Sequence, residues 1–115
     1  MIRTKRIYDA ASPDDGYRVL VDRLWPRGVK KEAARIDAWL KEIAPSHELR
    51  KWFGSEGASY AEFVRRYHKE LEAPELAPLL ADLKERAKKG PVTLLYAKTN
   101  TRENNAEALK DILLR

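Results

Sequence analysis

The sequence predicts a single small α/β domain over residues 1–115, with a short, mainly parallel sheet of about three strands covered by four to five helices in a Rossmann-like layered arrangement. Three observations carry this expectation. Two β-rich segments, Tyr17–Asp22 and Pro91–Ala97, flank 68 residues that are mostly helical in pattern, ample for the right-handed crossover that joins parallel neighbours. The second of them, Pro91-Val-Thr-Leu-Leu-Tyr-Ala97, is a nearly continuous apolar run, as expected of a strand covered on both faces. No internal repeat, low-complexity stretch or linker interrupts the chain.

The elements follow in order. Ile2-Arg-Thr-Lys-Arg-Ile-Tyr8 alternates loosely and lacks a helix cap, which predicts a strand, and Asp9–Gly16 is dense in turn residues. Tyr17-Arg-Val-Leu-Val-Asp22 is a β-branched run of strand length, ended by Leu24-Trp-Pro-Arg-Gly28. The connection between these two strands is short, so adjacency would make them antiparallel. Ile36, Trp39, Leu40 and Ile43 recur at helical spacing and predict a helix stopped by Ala44-Pro45. Ser46 is a good N-cap for a short helix carrying Leu49, Trp52 and Phe53 up to Gly54. Tyr60, Phe63, Val64, Tyr67 and Leu71 form one amphipathic stripe, and Leu76, Leu79, Leu80, Leu83 and Ala87 form a second after Pro74. That second helix ends at Lys88-Lys89-Gly90, with cations in the last turn. After the Pro91–Ala97 strand, Lys98–Thr101 forms a polar bend, and Ala106, Leu109, Ile112 and Leu113 stripe a closing helix.

Composition narrows the chemistry. The chain has no cysteine and two histidines, which excludes thiolate metal sites, Fe–S clusters and cysteine nucleophiles and predicts no metal centre. Its apolar runs are far shorter than the roughly 20 residues that span a bilayer, and its first residues lack an apolar signal core, so the expected setting is cytoplasmic with no membrane partner. The formal net charge is +5, and residues 1–31 alone contribute +4 through eight Lys/Arg against four Asp. Such an excess marks an anionic partner, or belongs to the highly charged surface that 36% charged residues provide.

Two segments stand where ligands bind open α/β sheets, outside the carboxyl ends of strands. The first is Asp22-Arg-Leu-Trp-Pro-Arg-Gly28, which presents Arg23 and Arg27 as planar donor forks, with Pro26 stiffening the bend and Gly28 allowing close backbone approach. The alternative is that Arg23 pairs with an acid and Trp25 plugs the sheet edge. The second runs from Tyr96 to Asn105, where Lys98, Thr99, Asn100, Thr101 and Asn104 can add donors at a helix start. Its alternative is plain capping by Asn100 or Thr101 with Glu103 or Asn104. Together they predict a ligand-binding set of Asp22, Arg23, Arg27, Gly28, Tyr96, Lys98, Asn100 and Asn104. His47 and His68 lack metal-ligand spacing, Glu48 and Glu103 have no evident catalytic partner, and Trp39 and Trp52 sit at core-like spacing.

The string Tyr17-Arg-Val-Leu-Val-Asp-Arg-Leu-Trp-Pro-Arg-Gly-Val-Lys-Lys31 resembles the YeaO-like branch of a bacterial and archaeal family of unknown function, number 488. Trp39-Leu-Lys-Glu-Ile-Ala-Pro-Ser46, Leu49-Arg-Lys-Trp-Phe-Gly54, Phe63-Val-Arg-Arg-Tyr67 and Val92-Thr-Leu-Leu-Tyr-Ala97 extend the resemblance over nearly the whole chain. It implies a compact intracellular α/β domain and points at the same two segments, but it brings no established reaction or cofactor. Asn100 stands where the family pattern has an acid, Glu103 takes the place of a histidine ahead of Asn104, and the cysteines of more distant members are absent.

The leading functional expectation is a small cytosolic protein with an anion-binding pocket for a phosphate- or nucleotide-type ligand at the carboxyl ends of the strands. If a reaction occurs, the arginines would stabilise developing negative charge, and Asp22 or Glu103 would be the acid/base candidates. The competing expectation is a basic nucleic-acid-binding or protein-interaction module without catalysis, which requires Arg3, Lys5, Arg6, Arg18, Lys30 and Lys31 to share one face.

Overall fold

Ile2–Arg6 (β1), Tyr17–Leu20 (β2) and Val92–Tyr96 (β4) form strands where the sequence predicts them, and Ala38–Trp39 adds a fourth (β3). The computed structural model describes residues 1–115. Five helices complete it: Lys31–Ala34 (α1), His47–Phe53 (α2), Tyr60–Glu70 (α3), Ala77–Lys89 (α4) and Asn105–Leu113 (α5). The chain is thus an α/β domain with one strand more than the three expected.

The strand order is β1-β4-β2-β3 and every pair is parallel. β1 and β2 are not neighbours, because β4 inserts between them, so the antiparallel arrangement does not arise. Ten residues, Ile7–Gly16, return the chain to the start of β2 without an α-helix. Fully extended they span about 33 Å, about twice the length of β1. Their end is fixed by a one-turn helix at Pro13–Asp15, where Ser12 and Asp15 cap each other. Gly16 then has φ 64°, and a Cβ there would stand 2.2 Å from the Pro91 carbonyl oxygen, so only glycine fits.

The helix expected from Ile36, Trp39, Leu40 and Ile43 is instead β3 followed by a short 3-10 turn at Lys41–Ile43. The open edge of β2 explains the difference. Asp37 N donates to Arg18 O and Leu40 N to Leu20 O, while Asp37 Oδ2 accepts from Arg18 N. Pairing an otherwise unsatisfied strand edge outweighs a four-residue periodicity that Pro45 truncates anyway. α1 stops just before this segment at Arg35, which is left-handed with φ 50°.

The sheet is covered unequally. On one face Ile2, Val19, Val21, Val92, Leu94 and Tyr96 pack under α2, α3, α4 and α5, with Phe63, Tyr67, Leu83 and Leu109 at the centre. On the other, Ile7, Leu20, Leu95 and Ala34 form a small cluster capped by Trp25, Val29, Ile36 and Trp39. The alternation of Leu94 and Leu95 between the two clusters explains why β4 reads as uninterrupted apolar sequence: it is buried along its whole length. Because all four strands point one way, the segments following each of them converge at one edge, and the loop Leu24–Lys30 is held there over the smaller face.

Candidate functional site

At that edge lies a cavity of about 860 Å³, to which the segments after all four strands contribute: Tyr8 after β1, Asp22–Arg27 after β2, Pro45–Lys51 after β3, and Ala97, Lys98 and Asn105 after β4. Its position follows from parallel topology alone.

Asp22 is the organising group. Its Oδ2 accepts the Ala97 backbone N–H at 2.9 Å and its Oδ1 accepts from Asn105 Nδ2 at 3.0 Å. The same Asn105 amide donates to Val21 O, and Trp39 Nε1 donates to Asp22 O at 2.8 Å. Burial raises the Asp22 carboxyl above the ordinary aspartate value, with the Asn105 and Ala97 hydrogen bonds and the nearby Arg50 charge pulling the other way. Arg23 donates to Pro45 O at 3.1 Å and to Ala44 O at 2.8 Å, anchoring the chain as it enters α2. It makes no ion pair with Asp22. Trp25 is fixed by its Nε1–H to Val29 O at 2.7 Å and by an edge-on contact with Trp39 at 5.4 Å between centroids. The sheet-edge plug considered for Trp25 is therefore real, and it sits beside the cavity it also lines.

The rim is cationic. Arg27 is exposed, with its backbone carbonyl held by Tyr8 Oη–H at 3.0 Å. Arg50 and Lys51 project from α2, whose N-terminus is capped by Ser46. Glu70 fixes that cap by accepting both Ser46 N–H at 2.9 Å and Ser46 Oγ–H at 2.5 Å. Lys98 Nζ lies 4.0 Å from the Phe53 ring centroid. Burial holds the Lys98 amine below the ordinary lysine value, and Glu103 opposes the shift. Arg23, Arg27, Arg50, Lys51 and Lys98 thus surround the cavity against one lining carboxylate, Asp22.

The eight sequence-predicted site residues divide evenly. Asp22, Arg23, Arg27 and Lys98 line the cavity. Gly28, Tyr96, Asn100 and Asn104 do not line it. Gly28 has φ 74° and shapes the loop beside a smaller hollow. Tyr96 is only 2% exposed, in the larger core. Asn100 Oδ1 accepts from Arg102 N and Glu103 N, both at 3.0 Å. Asn104 is fully buried as the N-cap of α5: its Oδ1 accepts Glu107 N–H and its Nδ2 donates to Asn100 O. Capping, the plainer reading of this loop, accounts for Asn104, while Asn100 turns the loop before it through its two backbone hydrogen bonds. The neighbour Asn105 faces the cavity instead, and sequence reasoning missed it along with His47, Arg50, Lys51 and Phe53. The signal for the α2 residues was the Leu49-Arg-Lys-Trp-Phe-Gly54 string, in which two exposed cations follow buried Leu49. No group of three or more His, Asp or Glu side chains is placed to hold a metal ion.

Fold and site together define a parallel α/β domain with a cation-rimmed cavity at the carboxyl ends of its strands. The chain belongs to the family described as the inactive DUF488-N3 subclade, whose model matches residues 1–115. It is 52% identical over 113 residues to the uncharacterized protein YeaO of Escherichia coli K12, covering 97% of this chain and 96% of YeaO. It is 38% identical over 112 residues to the uncharacterized proteins Mb3100c of Mycobacterium bovis and Rv3073c of Mycobacterium tuberculosis, covering 97% of this chain and 92% of each. The resemblance read from the Val-Asp-Arg-Leu-Trp-Pro-Arg-Gly string is thereby shown. No solved structure matches the chain. No helix is long and apolar enough to cross a membrane.

Proposed function

We propose that the protein binds a small anionic ligand of the phosphate or nucleotide type in the cavity at the carboxyl ends of its strands, and that it does so in the cytoplasm. The observation that carries the reading is the clustering of five Lys and Arg side chains around one cavity that contains a single carboxylate. Arg27, Arg50 and Lys51 take no part in the protein's ion pairs, so their charge is available to a ligand. The volume of about 860 Å³ falls within the roughly 300–1,000 Å³ range of small-molecule sites. Arg23, already donating to two carbonyls, acts mainly by holding the α2 entry in place. Gly28, Asn100 and Asn104 shape the loops and Tyr96 packs in the core, behind the ligand rather than against it.

Binding without turnover agrees with the family's description as inactive. It also agrees with Asp22, whose hydrogen bonds go to a backbone amide and an asparagine rather than to a proton-relay partner. The nucleic-acid reading draws less support, because its basic residues are largely committed. Lys5 and Arg18 both pair with Asp15, Arg3 donates to Asp14 O, and Arg6 donates to Ala97 O and Lys98 O.

A thermal-shift screen against phosphate, nucleotides and phosphorylated metabolites tests the proposal when repeated with Arg50→Ala. A ligand that raises Tm of the parent protein and loses at least most of that shift in the variant supports it; no stabilisation by any anion sinks it.

A further inference from the structure

The floor of the cavity carries a group that a simple anion site would not have. Asp22 faces the cavity with about four acceptor positions on its two oxygens, of which Ala97 N and Asn105 Nδ2 occupy two. None of the protein's ion pairs includes it. The cations stand around the rim, and the carboxylate beneath them is held by neutral donors only. A bare anion drawn into this space meets attraction from the rim and repulsion from the floor. A ligand that brings its own O–H or N–H donors to Asp22 satisfies both.

We propose that the cavity selects phosphate monoesters whose organic part carries hydroxyl or ring N–H donors, with Asp22 reading those donors and Arg27, Arg50 and Lys51 holding the phosphate. This rests on the anion-binding reading and narrows it. Size points the same way, because a bare phosphate displaces only a few water volumes of roughly 30 Å³ each and leaves most of the cavity unfilled. The walls between rim and floor are apolar, with Trp25, Pro26 and Phe53 available to cover the carbon skeleton of the ester. Asn105 gives the floor its direction: it donates to Val21 O and Asp22 Oδ1 together, so a carboxylate that swings toward the rim cations gives up the Asn105 hydrogen bond that orients it.

Calorimetric titration of the unmodified protein at one ionic strength, with inorganic phosphate, phenyl phosphate, ribose 5-phosphate and uridine monophosphate, tests this directly. The two donor-bearing esters are expected to bind at least about tenfold more tightly than phenyl phosphate or phosphate, the size of one hydrogen bond to a charged group. Asp22→Asn is expected to narrow that gap and to strengthen phenyl phosphate and phosphate relative to the other two. Equal affinity for phenyl phosphate and the donor-bearing esters overturns the donor-selection proposal while leaving anion binding intact. Absence of binding by all four overturns both. A preference that survives unchanged in folded Asp22→Asn removes Asp22 from the role, and the ranking on the unmodified protein stands as the test if that variant does not fold.

Discussion

Asn105 and Asp22, 83 residues apart in sequence, meet at the carboxyl end of the sheet, where Asn105 Nδ2 donates to Asp22 Oδ1 at 3.0 Å and also to Val21 O. One amide thereby ties the first turn of α5 to the end of the β2 chain, and it orients the only carboxylate that lines the cavity. The link is structural in its hydrogen bonds and electrostatic in its consequence, since it keeps a negative charge among cations without an ion pair.

That arrangement makes Asn105→Asp informative. The substitution sets two carboxylates against each other at hydrogen-bond distance and removes the donor to Val21 O. Stability at pH 7 is expected to fall by about 2–4 kcal/mol, more than for Asn105→Ala at about 1–2 kcal/mol. Like charges so close cannot both stay ionised cheaply, so the folded-state carboxyls rise above their unfolded values. Stability is then recovered as pH falls through the raised folded-state values, and the recovery is complete at the unfolded ones. Urea unfolding of both variants between pH 4 and 8 measures the difference; a pH-independent gap contradicts the account.

Asp15 shows the opposite sign. Burial raises its carboxyl, but the Ser12 N–H and the Lys5 and Arg18 side chains outweigh that and hold it below the usual value of 3.8. A folded-state value below the unfolded one contributes stability above about pH 4, lost as pH falls through the folded-state value. Arg18, itself 5% exposed, also donates to Ala34 O and Arg35 O at the end of α1, so loss of Asp15 leaves a buried guanidinium uncompensated. Asp15→Asn is expected to cost about 3 kcal/mol at pH 7, with the gap to the parent protein closing below pH 4. Denaturant midpoints across that range provide the check.

How much of this was legible in the sequence differs by element. α3, α4 and α5 announced themselves because each buries one stripe of a regular helix, and β4 did so because it is apolar along its whole length. β3 was hidden, because Ile36, Trp39, Leu40 and Ile43 satisfy a helical template locally while their backbone is claimed by the edge of β2, a partner about 20 residues away. The insertion of β4 between β1 and β2 was hidden for the same reason: strand order is a non-local property. At the site, the Asp22-to-Gly28 string was readable because it combines strand end, proline and two arginines. Asn100 and Asn104 were expected at the ligand, with capping as the alternative, and Asn105 was not singled out. Asn104 and Asn105 are adjacent and chemically identical, and only the phase of α5 decides that the first is buried as a cap and the second faces the cavity.

The two glycines with positive φ at the strand connections separate backbone strain from crowding. Gly28 has φ 74° and open space where a Cβ would be, so Gly28→Ala is expected to cost about 1–2 kcal/mol through strain alone. Gly16 combines φ 64° with a Cβ position 2.2 Å from Pro91 O, the carbonyl that accepts Tyr17 N–H at the start of the β2–β4 pairing. Gly16→Ala must displace that strand start, at a cost above about 3 kcal/mol. Equal Tm losses in the two variants would contradict the reading.

Glu70 controls the rim from behind the cavity. Its carboxylate accepts Ser46 N–H and Ser46 Oγ–H, while Ser46 Oγ accepts Leu49 N–H, so α2 is capped by a serine that α3 itself holds in position. Tyr67, one turn earlier on α3, donates its hydroxyl to Ile43 O at 2.5 Å from a fully buried position and secures the same connection. Glu70→Ala removes the carboxylate and leaves the Ser46 N–H unpaired, an expected loss of about 1–3 kcal/mol. Tyr67→Phe leaves the Ile43 carbonyl unpaired at a cost of about 1–2 kcal/mol with little change in packed volume. The two variants differ at the cavity. Glu70 fixes the residue that begins α2, which carries Arg50 and Lys51, whereas Tyr67 fixes the turn before it. Glu70→Ala is therefore expected to weaken binding of a phosphate ester more than Tyr67→Phe does, even where the two lose similar stability. Unfolding and titration measured on both variants separate the effects; affinity falling strictly in proportion to stability would show that α2 is not positioned by this clasp.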